Sequence, residues 1–447
     1  MSRPDAGFIW GAATAAYQIE GAAYQYGKGH SIWDVFCRIP GRTVAGDTGE
    51  VACDHYHRWR DDLKLMQELG LQAYRLSISW PRVMPGGRGA VNEKGLAFYD
   101  HLIDGLLDAG ITPFVTCYHW DLPAALQFEM GGWANPEIAH VFADYADLLF
   151  SRLGDRVKNW MTLNEPWVVV DAGYFAGVHP PGVKDPRIGY LAGHNLMRAH
   201  AHAVARYRAG KRGNGKISFA LNTSYSFPKT DSEADRTAAE RAVQAFGGWF
   251  TDPPYFGDYP AVMRERLGDM LPQFTGEEQR LLKGSMDYLA LNYYTSDQVA
   301  HSPGNGPFEI DRVLCPGYPR TEMDWPIVPE GFRLLLHWLA RRYPGLPIYI
   351  TENGAAMPDK ADANGFVADD DRVDYLRTHI GAMQQAAREG VPMAGYFCWS
   401  LMDNLEWSAG FAKRFGLIHC DRATMKRTIK KSGLWYRDLI ARGGKMG

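Results

Sequence analysis

Short apolar runs alternate with longer amphipathic stretches along the whole chain. Several of these runs are nearly all apolar, as the strands of a parallel sheet are when both faces of the sheet are covered. The pattern predicts eight strands: Phe8–Ala13, Ala73–Ser77, Thr112–Tyr118, Asn159–Asn164, Ile217–Leu221, Tyr288–Asn292, Ile348–Glu352 and Met393–Trp399.

Between these runs, apolar residues recur at steps of three and four, which is typical of amphipathic helices. The predicted helices include Asp61–Leu69, Phe98–Ala109, Ile138–Leu153, Ala192–Ala209 and Phe332–Arg342. Eight units of a strand followed by a helix are the number that closes a (β/α)₈ barrel. We therefore predict an α/β fold in which residues 1–447 form one TIM barrel domain.

Three long segments follow the first, sixth and eighth predicted strands. Residues 17–52, 293–330 and 400–419 are rich in Gly, Pro and aromatic residues. In a barrel these loops lie at the carboxyl-terminal face, where barrel enzymes carry their active sites. A doubly wound open sheet is the alternative, but the segment Gly11–Gln18 lacks the glycine spacing that such a sheet usually has after its first strand.

The composition and net charge of the chain indicate which kinds of molecule it does not bind. The chain has 447 residues, and its 48 Lys and Arg against 51 Asp and Glu leave a net charge of −3, which favours neither a nucleic-acid nor a membrane partner. No apolar stretch resembles a signal peptide or a membrane span, so we expect a cytoplasmic protein. The six cysteines form no Cys-x-x-Cys pair, which favours reduced thiols.

Two local patterns imitate ligand sites. The segment Gly210–Lys216 resembles a nucleotide-binding loop, but Ile217 stands where Ser or Thr is required and the predicted helix precedes the strand, so we interpret it as a turn. The close histidine pairs His55/His57 and His200/His202 lack the spacing of metal ligands. We therefore expect neither a metal nor an organic cofactor.

Two glutamates at the ends of separate predicted strands carry the strongest chemical signal. Glu165 follows Asn164 at the end of the fourth strand, and Glu352 ends the seventh. Carboxylates at the carboxyl ends of barrel strands lie at the catalytic face, where two of them can serve as an acid and a nucleophile or as an acid and a base. On an ideal strand Asn164 and Glu165 would point to opposite faces, so both reach one site only if the strand end is irregular.

Further motifs extend over nearly the whole chain. In chain order they are Phe8–Gly21, Ala52–His57, Tyr74–Trp80, Tyr118–Pro123, Thr162–Trp167, Leu291–Thr295, Ile350–Gly354 and Trp399–Trp407. With these motifs the chain resembles glycoside hydrolase family 1, the family of β-glucosidases and related β-glycosidases. The resemblance implies a retaining mechanism with Glu165 as the acid/base and Glu352 as the nucleophile.

The resemblance also implies roles for other residues. Arg75 and Tyr294 would support the nucleophile, and Asn164 would contact the 2-hydroxyl of the sugar. The other implied substrate-binding residues are Gln18, His119, Glu406 and Trp407 for the sugar hydroxyls, Trp399 beneath the ring, Asn292, and Trp120, Trp167, His179, Trp325 and Phe415 around the entrance and far wall.

The substrate class follows from the same comparison of motifs. Relatives that take 6-phosphosugars replace the Glu-Trp pair found here at 406–407, and thioglucosidases carry Gln at the position of Glu165. We therefore expect an exo-β-glucosidase with β-galactosidase or β-fucosidase side activity that acts on small β-glycosides such as cellobiose, aryl or alkyl β-glucosides. A glycan-binding pseudoenzyme and a metal-dependent sugar isomerase are the alternatives, and both a monomer and a homo-oligomer remain open.

Overall fold

A closed barrel of eight parallel strands forms the centre of the protein. The computed structural model describes residues 7–210 and 214–446. The barrel strands are Ile9–Ala13, Ala73–Ser77, Thr112–Tyr118, Asn159–Asn164, Lys216–Asn222, Leu289–Asn292, Ile348–Asn353 and Met393–Trp399. They follow one another around the barrel in chain order, and the last pairs with the first. The predicted fold class and all eight predicted strands are confirmed.

Helices surround this barrel. The α-helices span Ala16–Ile19, Ile32–Phe36, His55–Glu68, Trp80–Val83, Glu93–Asp108, Ala124–Met130, Ile138–Leu153, Pro166–Val170, Pro186–Ala209, Glu233–Val243, Trp249–Phe256, Ala261–Leu267, Gly276–Leu282, Pro329–Arg342, Asp370–Arg388 and Lys431–Ala441. Short 3₁₀ turns span Val44–Gly46, Gly132–Ala134, Gly268–Met270 and Trp407–Ala409, and π-turns span Asp171–Phe175 and Gln244–Gly248.

Most predicted helices begin earlier in the structure than the apolar periodicity indicated. The helix predicted at Ala192 begins at Pro186, where proline suits the first helical position and the Asp185 side chain caps the amides of Arg187 and Ile188. Such first turns are polar, so they add nothing to an apolar pattern. None of the helices in the described residues is long and apolar enough to cross a membrane.

The barrel is packed inside and outside. Its interior holds the rings of Phe114, Tyr349 and Phe397, with the Phe114 centroid 4.8 Å from that of Phe397 and 5.6 Å from that of Tyr349. Small side chains such as Ala220 make room for them, as the layered filling of barrels requires. Outside the barrel, apolar side chains of the strands pack against those of the surrounding helices.

The long loops at the carboxyl ends of the strands carry their own small sheets. Strands Ser226–Pro228, Asp297–His301 and Ile310–Leu314 form one sheet, and Ile418–Cys420 pairs with Arg427–Ile429. The segment that resembles a nucleotide-binding loop follows helix Pro186–Ala209 in the chain and precedes strand Lys216–Asn222, and its residues 211–213, on which the predicted turn falls, lie outside the described residues.

Candidate active site

A cavity of about 540 Å³ opens at the carboxyl ends of the barrel strands. The predicted site residues that line it are His119, Trp120, Asn164, Glu165, Trp167, His179, Asn292, Tyr294, Trp325, Glu352, Trp399, Glu406, Trp407 and Phe415. Arg75 and Gln18 are not among its lining residues. Both are fully buried and reach the site through hydrogen bonds to Glu352 and Glu406.

Glu165 reaches the cavity because the fourth strand is irregular at its end. Met161 pairs with Ser218 and Asn164 pairs with Ala220, so the fourth strand has one more residue than the fifth in this interval. This is the arrangement of a β-bulge. Glu165 itself has φ 46° and ψ 65°, in the left-handed region. The bulge and the left-handed residue bring both Asn164 and Glu165 into the cavity, as the sequence argument required.

Glu352 lies at a second irregularity of the same kind. On the seventh strand Ile350 pairs with Leu291 and Glu352 pairs with Asn292, so one residue is again extra. Bulges re-aim side chains next to active sites. Here the bulge lies at Glu352, and its partner Asn292, at the end of the sixth strand, donates a hydrogen bond to Glu165.

The carboxyl group of Glu352 is held on both oxygens. Arg75 Nη1 lies 2.5 Å from Oε1, and the hydroxyl of Tyr294 donates to Oε2 at 2.5 Å. Arg75 also donates to Asn164 Oδ1 at 2.6 Å and to the Thr351 carbonyl oxygen at 3.1 Å. Because charge-assisted bonds from a cation and a hydroxyl favour the ionised form, these contacts stabilise Glu352 as a carboxylate.

Glu165 has different surroundings. Its Oε1 accepts a hydrogen bond of 2.7 Å from Asn292 Nδ2. No ion pair to Glu165 occurs in the described part of the chain. One buried carboxyl is therefore paired with a cation, and the other is held by a neutral amide.

The pKa values follow from these surroundings. Burial raises the pKa of Glu165 to about 8, and the negative charge of Glu352 contributes to the rise. Burial also raises the pKa of Glu352, while the charge of Arg75 and hydrogen bonds from Tyr294 and Asn292 oppose that rise. With a pKa of about 8, Glu165 carries a proton near neutral pH.

A third carboxyl, Glu406, lies at another wall of the cavity. Gln18 Nε2 contacts Glu406 Oε2 at 3.5 Å and donates to the Leu405 carbonyl oxygen at 2.8 Å. Burial raises the pKa of Glu406 to about 8, with a further contribution from the charge of Glu352. Gln18 and Glu406 together offer several donors and acceptors for hydroxyl groups.

His119 is positioned by Asn164. Asn164 Nδ2 lies 3.0 Å from His119 Nε2, and His119 Nδ1 has no hydrogen-bond partner among the described residues. Burial lowers the pKa of His119, and the charge of Arg75 lowers it further, so the ring is neutral. With the amide donating to Nε2, the ring hydrogen is on Nδ1.

Aromatic rings form the walls. The His119 ring is stacked with the rings of Trp399 and Trp407, at centroid distances of 5.9 Å and 5.8 Å. The centroid of the Trp120 ring lies 4.6 Å from that of Trp407. Indole faces of this kind suit the apolar side of a ring-shaped ligand that also carries hydroxyl groups.

Several lining residues were missed by the sequence analysis. They are Val168, Asn222, Thr223, Ser224, Thr295, Arg312, Leu314, Met323, Ser408 and Ala409. The position of residues 222–224 in the sequence could have predicted them as site residues. They are polar and directly follow the fifth predicted strand, as Glu165 follows the fourth. Arg312 and Leu314 had no such signal, since they lie on a strand outside the barrel.

Metal ligands are not clustered here. Within residues 7–210 and 214–446, no group of three or more His, Cys, Asp or Glu side chains could hold a metal ion.

Known proteins resemble this chain over its full length. The family model described as Glycosyl hydrolase family 1 matches residues 3–445. Beta-glucosidase A of Thermotoga maritima is 48% identical over 440 residues, which are 98% of each chain. A 1,4-beta-D-glucan glucohydrolase of Thermotoga neapolitana is 46% identical over 446 residues, 99% of each chain. A solved structure of the Thermotoga maritima β-glucosidase in complex with deoxynojirimycin has a TM-score of 0.95 at 47% identity and 99% coverage of both chains.

Proposed function

The chain belongs to glycosyl hydrolase family 1, and from that premise we propose that it is a retaining exo-β-glucosidase with Glu165 as acid/base and Glu352 as nucleophile. At the coarser level the protein is a glycoside hydrolase of the β-glucosidase type. The proposal adds the mechanism, the two catalytic residues and the position at which the substrate is cut.

The unequal surroundings of the two glutamates carry this proposal. Glu352 has a cation and a hydroxyl on its two oxygens, whereas Glu165 has the Asn292 amide and a pKa raised to about 8. A retaining glycosidase needs one ionised carboxylate to attack the sugar and one protonated carboxyl to assist departure of the leaving group. The cation and hydroxyl on Glu352 and the raised pKa of Glu165 support these two roles.

In the first step, Glu352 forms a bond from a carboxylate oxygen to the anomeric carbon. The bond between that carbon and the leaving-group oxygen breaks, and Glu165 transfers its proton to this oxygen. The product is a glycosyl ester of Glu352. Arg75 and Tyr294 orient the attacking carboxylate, and Asn164 can contact the sugar 2-hydroxyl while it bonds to Arg75 and His119.

In the second step, water cleaves the ester. Glu165 is a carboxylate after the first step, and it accepts a proton from water. The charge of Glu352 is absent in the ester, so one of the causes that raise the pKa of Glu165 is removed. The water oxygen bonds to the anomeric carbon, and Glu352 leaves as a carboxylate. Two displacements at one carbon retain the β-configuration.

The cavity walls support a neutral sugar as substrate. Gln18, His119 and Glu406 offer groups for hydroxyls, and Trp399 and Trp407 offer apolar faces. We include cellobiose and aryl or alkyl β-glucosides as substrates, with β-galactoside or β-fucoside hydrolysis as a side activity.

Hydrolysis of an aryl β-glucoside, followed by NMR of the first sugar released, tests the proposal. We expect β-glucose to form before mutarotation, and we expect Glu352→Gly to abolish turnover. Glu330→Gly, an exposed position on helix Pro329–Arg342, is the control and should remain active. An α-configured first product would overturn retention, and equal turnover by Glu352→Gly and the wild type would overturn the assignment of the nucleophile.

A further inference from the structure

A group of five buried charged side chains lies behind the wall of the cavity that carries Glu406, Trp407 and Phe415. The group consists of Asp359, Asp369, Arg372, Asp403 and Lys430, and we refer to it as the ion cluster. The side chains of all five are between 0 and 8% exposed. None of them lines the cavity. We propose that the ion cluster is a positioning device that sets the shape of the sugar-binding wall.

Lys430 joins two segments that are far apart in the chain. Its ammonium group lies 2.6 Å from Asp403 Oδ1 and also pairs with Asp359. Asp359 follows the seventh strand, which carries Glu352, and Asp403 lies in the loop after the eighth strand. One cation therefore connects the loop behind Glu352 to the loop that carries Glu406.

Arg372 extends the connection to the helix Asp370–Arg388. Its Nη2 lies 2.9 Å and 3.0 Å from the two carboxylate oxygens of Asp359, and its Nη1 pairs with Asp369. Asp369 accepts hydrogen bonds from the backbone N–H and the hydroxyl of Ser432, at the start of the last helix. The ion cluster is thus bonded to the loop after the seventh strand, to the helix Asp370–Arg388 and to the last helix.

Hydrogen bonds between the ion cluster and the backbone hold the segment that carries Phe415. Arg372 Nη2 donates to the Arg414 carbonyl oxygen at 2.7 Å, and the Gly416 N–H donates to Asp403 Oδ1 at 3.0 Å. These are the residues directly before and after Phe415. The backbone on both sides of this cavity residue is therefore held by the ion cluster.

The same carboxylate holds the loop between Trp399 and Glu406. Asp403 lies between these two lining residues in the chain, and His419 Nδ1 contacts its second oxygen at 3.2 Å. Gly416 leaves no space for adjustment, since a Cβ there would lie 2.1 Å from the Asp403 backbone nitrogen. A shift of the Asp403 side chain must move the loop that carries Glu406 or the segment that carries Phe415.

Charged groups suit this task because their hydrogen bonds are directional and strong when buried. A buried carboxylate that loses its cation must find another partner or take up a proton, and either change alters the local geometry. Apolar packing would tolerate small displacements that this set of bonds does not.

A simple contribution to stability is the competing explanation, and the chain offers a matched control. Asp252 is also a buried carboxylate, 3% exposed at its side chain, that accepts from Arg342 Nε at 2.8 Å and from the Tyr343 hydroxyl at 2.6 Å. It does not line the cavity. Asp403→Asn and Asp252→Asn each remove one buried charge. Only Asp403 bonds to a segment that carries a residue of the sugar-binding wall.

The experiment compares these two variants in the full-length enzyme and rests on the proposed function. Melting temperature, kcat and KM for an aryl β-glucoside, and the inhibition constant of deoxynojirimycin are measured. We expect both variants to lose melting temperature. We expect Asp403→Asn to raise the inhibition constant by about tenfold or more and to lower kcat/KM, whereas Asp252→Asn keeps both within about twofold.

His419→Gln provides a second, milder variant, because it removes a single contact from Asp403 and leaves Lys430 in place. It should raise the inhibition constant by about two- to threefold. An unchanged inhibition constant in every folded variant of Asp403 or His419 would overturn the proposal, and so would an equal rise in Asp252→Asn. Failure of the proposed function would be distinct, since the wild type itself would then not hydrolyse the glucoside.

Discussion

Asn292 links the two glutamates of the site: its Nδ2 donates a hydrogen bond of 2.7 Å to Glu165 Oε1, and its Oδ1 accepts one of 2.7 Å from the hydroxyl of Thr351, the residue before Glu352. The Thr351 hydroxyl therefore fixes which end of the amide faces Glu165. A donor to Glu165 lowers its pKa and so moderates the rise that burial causes.

The proton of Glu165 should respond to the charge of Glu352. Because Glu165 must be protonated for the first step and has a pKa of about 8, kcat/KM should fall as the pH rises through about 8. Glu352→Gln removes a charge that raises this pKa, so we expect the pKa of Glu165 to fall. The measurement is a carbon-13 NMR titration of labelled glutamate carboxyls.

Glu406→Gln is the control for that titration. It removes a charge that contributes less to the pKa of Glu165 than the charge of Glu352 does, so it should produce a smaller decrease. An identical titration of Glu165 in the wild type and in Glu352→Gln would contradict the coupling of the two groups.

Removal of the Tyr294 hydroxyl should impair the attack that we propose for Glu352. A hydrogen bond to a charged group contributes about 1.5–3 kcal/mol, so we expect Tyr294→Phe to lower kcat/KM on the order of 10- to 100-fold. The bond also lowers the pKa of Glu352, so its loss should move the acid limb of the pH profile to higher pH.

Tyr293→Phe is the matched control for this change. The Tyr293 hydroxyl donates to the Val328 carbonyl oxygen at 2.8 Å, is buried, and does not line the cavity. The variant should lose stability while the acid limb stays in place. Matching shifts of the acid limb in both variants would refute a specific role of Tyr294.

The close approach of Gly354 to Trp399 should be intolerant of a methyl group. A Cβ on Gly354 would lie 1.7 Å from the Trp399 carbonyl oxygen, so Gly354→Ala must separate the end of the seventh strand from the eighth strand. Overpacking of this kind costs about 1–3 kcal/mol of stability, and a displacement of about 1 Å can lower a rate about 100-fold. Thermal unfolding and kcat/KM measure the two effects.

Gly381→Ala is a comparison within the helix Asp370–Arg388. A Cβ there meets only Met446 Cε, at 3.9 Å. This variant should gain about 0.5–1 kcal/mol in the free energy of unfolding and keep its activity. Wild-type activity in Gly354→Ala would show that the strand ends can separate without affecting the site.

Phosphorylated sugars should be rejected. The carboxyl of Glu406 lines the cavity and provides no cation for a phosphate dianion. We expect kcat/KM for an aryl 6-phospho-β-glucoside to be at least about 10³-fold below that for the unphosphorylated glucoside. Comparable values for the two substrates would disprove this specificity.

Local patterns in the sequence determined much of the fold. The strand Ala73–Ser77 and the helix Ile138–Leu153 were predicted with their observed ends, because the burial of a strand or helix face is written in the spacing of its apolar residues. The same rule placed Glu165 and Glu352 at strand ends on one face of the barrel. Polar first turns, such as the one at Pro186, escaped prediction because they bury little.

The tertiary structure decided which side chains meet. Arg75 and Glu352 are 277 positions apart, and Asn164 and Glu165 share a site only because the register between the fourth and fifth strands leaves one residue extra. The ion cluster at Asp403 and Lys430 likewise depends on loops from different parts of the chain. The spacing of apolar residues indicates which residues are buried, whereas strand register and loop packing arise from contacts between distant segments. The sequence by itself therefore determined the barrel and the positions of the two glutamates at strand ends. Only the folded structure decided the geometry of the two glutamates.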